Sequence, residues 1–270
     1  LADPAREGRG IGTRGLEEAG AWLEARMQSL GLQPAGADGS FRASFPVVTS
    51  IERGGDTALQ IADASVVPDA YTSTGWSAQG AVKGDAVLAG WAMQDAELGI
   101  DDFAGVDVKG KIVIARRFVP EHEKLSEPAV QRRAGDLRKK AFVARNLGAT
   151  ALIVVDWPVL AAQGDASAHA AAGEFPPEAA LPSLRPEGSG DAGLPVLIVK
   201  REALSAVWPQ LEAGQSIPVA LNVQLLASES EAFNVIGRIP AGRFPSQGTL
   251  VLGAHYDHLG YGGPNSLAPD

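Results

Sequence analysis

A chain of 270 residues with 45% hydrophobic and 20% charged residues has length for one large domain or two ordinary ones, and its composition excludes wholesale disorder and collagen-like repeats. A net charge of −9 excludes a general nucleic-acid surface, because phosphate binding is led by clustered Lys and Arg. The lack of cysteine removes disulfides, thiolate zinc sites and cysteine nucleophiles, and no apolar run approaches the roughly 18 residues of a membrane span.

The chain opens on a charged, glycine-rich lead-in, Arg6-Glu7-Gly8-Arg9-Gly10-Ile11-Gly12-Thr13-Arg14-Gly15. No strand precedes these glycines, so they read as shaping a surface loop rather than cradling a phosphate. Thr13 is placed to cap a helix whose first turn carries Glu17 and Glu18, favourable to the helix dipole. Leu16, Ala19, Leu23, Met27 and Leu30 recur at helical spacing beside Trp22, and Gly31 and Pro34 stop the helix. This predicts an amphipathic helix packed on a sheet.

From about residue 50 to 223 the texture becomes β-rich, with strands predicted at 81–89, 111–116, 151–155, 195–199 and 219–225. Gly110-Lys111-Ile112-Val113-Ile114-Ala115 reads as a turn into a central strand. One helix is predicted from about 128 to 147, with Val130, Ala134, Leu137, Ala141, Ala144 and Leu147 on its apolar face. Arg132, Arg133, Arg138, Lys139, Lys140 and Arg145 then form a solvated face rather than an anion-binding surface. Asp101-Asp102, before Phe-Ala-Gly, reads as turn chemistry, and residues 161–186 as a long surface loop. His122 and His169 stand alone in polar loops with no second ligand at helix or short-loop spacing. No Gly-x-Ser-x-Gly elbow, phosphate loop or dinucleotide fingerprint is present.

After the polar Ser228-Glu229-Ser230-Glu231, strands are predicted at 233–239 and 249–254, joined by a turn as an antiparallel pair. The second delivers Gly253-Ala254-His255-Tyr256-Asp257-His258-Leu259-Gly260. Residues two apart in extended backbone share a face, so Asp257 can accept a hydrogen bond from one ring nitrogen of His255. That bond selects the tautomer and raises the basicity of the other nitrogen, as in carboxylate–histidine–metal arrangements. Small Gly253 and Ala254 permit close approach, and Gly260, Gly262 and Gly263 form a pliable loop. One histidine and one carboxylate suit several divalent metals.

Asn234-Val235-Ile236-Gly237 followed by Leu250-Val251-Leu252-Gly253-Ala254-His255-Tyr256-Asp257-His258-Leu259-Gly260 resembles the opening of the catalytic domain in the co-catalytic di-zinc aminopeptidase family, which includes glutamate carboxypeptidase and the transferrin receptor. Gly8-Arg9, Gly12-Thr13 and Gly31-Leu32 resemble that family's lead-in. Gly110-Lys111-Ile112-Val113 and Gly148-Ala149 resemble the protease-associated domain often inserted there. The resemblance implies an α/β fold: the start of a mixed-sheet zinc-peptidase catalytic domain (1–49 and 227–270) interrupted by a β-rich protease-associated domain (50–226). It implies His255 as a zinc ligand, Asp257 as the catalytic-site carboxylate that orients it, and His258 without a ligand role. Two zinc ions and a peptide substrate are its cofactors and partner, with no nucleic acid and no membrane span.

The family's remaining ligands and its general base have no position here, and Asp270 lacks the surroundings of the bridging carboxylate. The chain therefore reads as the N-terminal portion of such an enzyme, inactive until a second chain or a missing C-terminal part completes it. An apolar strand such as 250–254, which needs cover on both faces, points the same way. The alternatives are a non-catalytic binding protein of the same fold and a protease-associated interaction module. Cysteine usage leaves the compartment open, and the start at Leu1 fits a processed, extracytoplasmic (secreted or periplasmic) protein.

Overall fold

Thr13 begins the first helix, α1 (Arg14–Ser29): its hydroxyl accepts from the Leu16 N–H at 3.2 Å, the capping bond that its position predicts. The computed structural model describes residues 1–159, 175–186, 190–240, 242 and 248–262. It divides into two units, Leu1–Ser50 with Ala227–Asp270, and Ile51–Leu226. In the first unit α1 buries Gly15, Leu16, Ala19 and Gly20, while Trp22 and Leu30 are exposed. The apolar stripe is thus shorter than its sequence spacing suggests. Gly31 ends the helix in the left-handed region, at φ +78°. β1 (Gln33–Pro34) and β2 (Arg42–Arg53) follow, and Arg42 ties β2 to α1 through ion pairs with Glu17 and Glu24.

The second unit carries β3 (Ala58–Ile61), β4 (Ala64–Ser65), β5 (Tyr71–Ser73), β6 (Gly80–Leu88), β7 (Gln94–Asp95), β8 (Ile100–Asp101) and β9 (Ile112–Arg116). Next come α2 (Pro128–Ala134), α3 (Leu137–Asn146), β10 (Ala151–Val155), β11 (Val196–Val199), a short helix Trp208–Glu212 and β12 (Ile217–Val223). Eight strands form one sheet in the order β4-β3-β12-β6-β9-β10-β11-β5. Its middle is parallel, from β6 through β9 and β10 to β11, and β12 and β5 add antiparallel flanks. The architecture is α/β with a mixed sheet. Every residue of β9, β10 and β11 is buried, as an interior parallel sheet with two covered faces requires. Alternation sends Ile112, Ile114, Ile153, Leu197 and Val199 to one core, with Trp157 and Trp208. It sends Val113, Leu152, Val154, Val196 and Ile198 to the other, under Ala141 and Ala144 of α3.

The expected single helix over 128–147 is two. Gly135 closes α2, and the Asp136 carboxylate starts α3 by accepting from the Lys139 N–H at 2.9 Å. Ala134 and Leu137 are three apart, so the apolar spacing runs through this break and conceals it. Lys140, expected on the solvated face, is buried: its ammonium donates to the Trp91 carbonyl, with the Asp102 carboxylate nearby. Asp102 meets its turn assignment by accepting from the N–H groups of Trp91 and Met93, each at 3.0 Å, and burial raises its pKa.

Burial pushes the Lys140 amine down to about 8 from 10.5. Between those values the unfolded chain holds the proton that the folded chain has released, so stability rises with pH across that window. The rise is on the order of 2–3 kcal/mol, and Lys140→Met should abolish it. Chemical unfolding of both proteins at pH 7.5 and pH 10 measures the difference.

Returning to the first unit, β13 (Leu225–Val235) pairs with β2, and β14 (Gly237–Arg238) lies antiparallel to β1, Gln33 opposite Arg238. The strand expected from residue 233 therefore begins earlier and takes α1-side partners rather than 249–254. Residues 250–254 form no strand. Leu250, Val251 and Leu252 are 84%, 81% and 88% exposed, because no described residue offers them a ladder to join.

Candidate functional site

Residues 253–257 belong to no helix or strand, and His255 and Asp257 meet across the intervening Tyr256. His255 Nδ1 is 3.1 Å from Asp257 Oδ1. With the proton on Nδ1 the imidazole donates to the carboxylate, and the Nε2 lone pair is left for a proton or a metal. His255 is 92% exposed at its side chain and Asp257 43%, so the pair stands open.

Tyr256 is the anchor between them. Its hydroxyl donates to the Phe233 carbonyl at 2.8 Å, and its ring lies 6.3 Å from that of Phe233. Burial raises the Tyr256 phenol pKa, so it stays a neutral donor. Phe233 in turn lies 4.0 Å beneath the Arg42 guanidinium and fills space that Gly20 of α1 leaves free. A Cβ at residue 20 would sit 2.5 Å from that ring. The helix, the β2–β13 pair and the His–Asp run are thereby locked through one aromatic ring.

The N-terminal lead-in is not the free surface loop its glycines suggest. Arg9 Nε donates to the Tyr256 carbonyl at 2.6 Å, and the His258 and Gly260 N–H groups donate to the carbonyls of Arg9 and Gly8 at 2.9 and 3.1 Å. Reasoning from sequence missed Arg9 and Tyr256. The period-2 alternation around Tyr256 was a usable signal, whereas Arg9 lies 247 residues away along the chain.

A cleft of about 490 Å³ is lined by His255 and Asp257 together with Ile11, Leu16, Phe45, Val47 and Phe233. One imidazole lone pair and one carboxylate beside apolar walls can bind a cation or move a proton. Among the described residues no three His, Asp or Glu side chains gather as a complete metal set. The residues present therefore fit one ligand and its orienting carboxylate.

His258 is exposed and engaged through its backbone. His122 is a turn residue, its Nδ1 accepting from the Lys124 N–H at 3.1 Å. His169 and Asp270 lie outside the described residues. No described helix is long and apolar enough to cross a membrane.

No protein-family profile and no curated protein matches the chain. Among solved structures it is similar to an aminopeptidase from Aneurinibacillus sp. strain AM-1, at 16% identity over 89% of this chain and 49% of that one, with a TM-score of 0.46. It is also similar to a zinc aminopeptidase from Bacillus subtilis, at 19% identity over 89% and 45% of the two chains, with a TM-score of 0.39. A third likeness is to a peptidase M28 precursor from Shewanella amazonensis SB2B, at 17% identity over 85% and 46%, with a TM-score of 0.40. The chain spans about half the length of these structures.

Proposed function

We propose that this chain is the N-terminal portion of a zinc-dependent aminopeptidase, with residues 51–226 inserted as a protease-associated domain. The observation that carries this reading is the 3.1 Å His255–Asp257 contact in a Gly-Ala-His-Tyr-Asp-His-Leu-Gly run beside an apolar cleft. His255 would ligate one of two zinc ions through Nε2. Asp257 would hold the ring in that tautomer and strengthen its donation. Bound zinc would supply Lewis acidity, polarising the scissile carbonyl and activating water at neutral pH.

The remaining ligands and the proton-transferring carboxylate belong, in this reading, to a further segment or second chain that also pairs with residues 250–254. The apolar walls from Ile11, Phe45 and Val47 would exclude water from one side of the assembled site. The chain alone is then inactive, and the complete polypeptide releases N-terminal residues from peptides. The test compares zinc content and hydrolysis of aminoacyl anilides for both. Hydrolysis by this chain alone, or a zinc-free complete polypeptide that is fully active, counts against the reading.

Asp257→Asn probes the orienting role. Asparagine keeps the size but offers a weaker, neutral acceptor, so zinc affinity should drop roughly 10–100-fold. Competition against a chromogenic chelator measures it, and unaltered affinity would remove Asp257 from the site.

A further inference from the structure

We propose that Arg9 is a positioning residue for the His255–Asp257 pair, acting through a left-handed turn of the N-terminal lead-in that clamps residues 256–260. The proposal rests on the metallopeptidase reading above. Its basis is how Arg9 brackets Asp257. The Tyr256 carbonyl belongs to the peptide unit before Asp257, and the His258 N–H to the unit after it. The Arg9 side chain donates to the first at 2.6 Å, and the Arg9 carbonyl accepts from the second at 2.9 Å. One residue thus fixes both peptide planes flanking Asp257, and with them the direction in which its carboxylate leaves the backbone. Gly8 extends the clamp by accepting from the Gly260 N–H at 3.1 Å.

The turn that presents Arg9 is strained and closely fitted. Glu7, Gly8 and Arg9 have φ of 50°, 58° and 52°, so two of three consecutive left-handed residues carry a Cβ. Such conformations persist where surrounding contacts over-determine them. Here the Glu7 carboxylate accepts from the Gly15 N–H at 2.8 Å, and Arg6 pairs with Glu18 at 2.7 Å, tying the turn to the start of α1. A Cβ on Gly8 would lie 2.1 Å from the Gly260 carbonyl oxygen, and one on Gly10 2.9 Å from its Cα. This is backbone-on-backbone packing that only glycine permits. Tyr256 adds a second tether through its bond to Phe233. Between these tethers, the exposed imidazole and carboxylate are carried on a fixed main chain although few side chains pack against them. A metal ligand held this way loses little freedom on binding.

The experiment measures zinc affinity by chelator competition, and the thermal transition of the metal-free form, for Arg9→Ala and Arg9→Lys in the complete polypeptide. Arg9→Ala removes the bond to Tyr256 while keeping the backbone bond to His258. Zinc affinity should fall about 10-fold, the low end of what loss of a supporting partner produces, with the metal-free transition little changed. Arg9→Lys keeps a cationic donor and should recover most of the affinity. Unchanged affinity in Arg9→Ala overturns the proposal. So does a loss that appears only with collapse of the metal-free transition and is not relieved by Arg9→Lys, since that would be a folding role alone. His255→Ala, measured alongside, separates the two readings. If it leaves zinc binding intact, the metallopeptidase reading fails. If it abolishes binding while Arg9→Ala does not weaken it, only the clamp fails.

Discussion

His255→Ala in the complete polypeptide should lower peptide hydrolysis by well over about 100-fold, beyond what loss of an outer-sphere partner produces, and reduce bound zinc. In the metal-free chain the same substitution should leave folding stability within about 0.5 kcal/mol, because the His255 side chain is 92% exposed and its hydrogen bond is to Asp257, itself 43% exposed. That contrast gives the experiment its force: an inactive variant that unfolds at the wild-type denaturant midpoint has lost chemistry and not structure. Zinc analysis after dialysis, anilide hydrolysis and a urea titration provide the three readouts. A variant that retains both zinc and activity would remove His255 from the site and with it the aminopeptidase reading.

Truncating Ile153 to Ala should destabilise this chain strongly, whereas truncating Leu252 should barely affect it. Ile153 is fully buried in β10, with Ile114 of β9 on one side and Leu197 of β11 on the other, and Ile153→Ala should cost about 2–5 kcal/mol. Leu252 is 88% exposed, and Leu252→Ala in the same chain should change stability by less than about 0.5 kcal/mol. In the complete polypeptide the proposed pairing of 250–254 with a further segment would bury Leu252, so there Leu252→Ala should also cost about 2–5 kcal/mol. Urea unfolding of both variants in this chain, and of Leu252→Ala in the complete polypeptide, checks the three values. A Leu252→Ala effect that stays near zero in the complete polypeptide would dismiss that pairing.

Much of the β-rich unit was legible because its signals are local. The apolar runs at 112–115, 151–155 and 196–199 are short and dense in branched residues, which is how strands buried on both faces read. The edges of that sheet were not legible. Strands such as Tyr71–Ser73 and Ala58–Ile61 are three and four residues long and take their identity from the partners beside them. The break at Gly135 hid beneath continuous apolar spacing. The burial of Lys140 was hidden too, since a lysine among arginines on a helix reads as solvated until Trp91 and Asp102 close over it.

The His–Asp pair divides along the same line. That His255 and Asp257 share a face follows from the sequence alone, since alternation in extended backbone is a property of the chain itself, and the observed 3.1 Å contact agrees with it. The cap at Thr13 was equally local. Only the tertiary structure decided what holds that face in place: Arg9 reaching across 247 residues to the Tyr256 carbonyl, and glycines packed backbone to backbone at Gly8, Gly10 and Gly260. It also decided that residues 250–254, apolar enough to be a strand, are none in this chain. Hydrophobicity expresses a demand for burial, whereas a strand exists only where a neighbour supplies the other half of its hydrogen bonds.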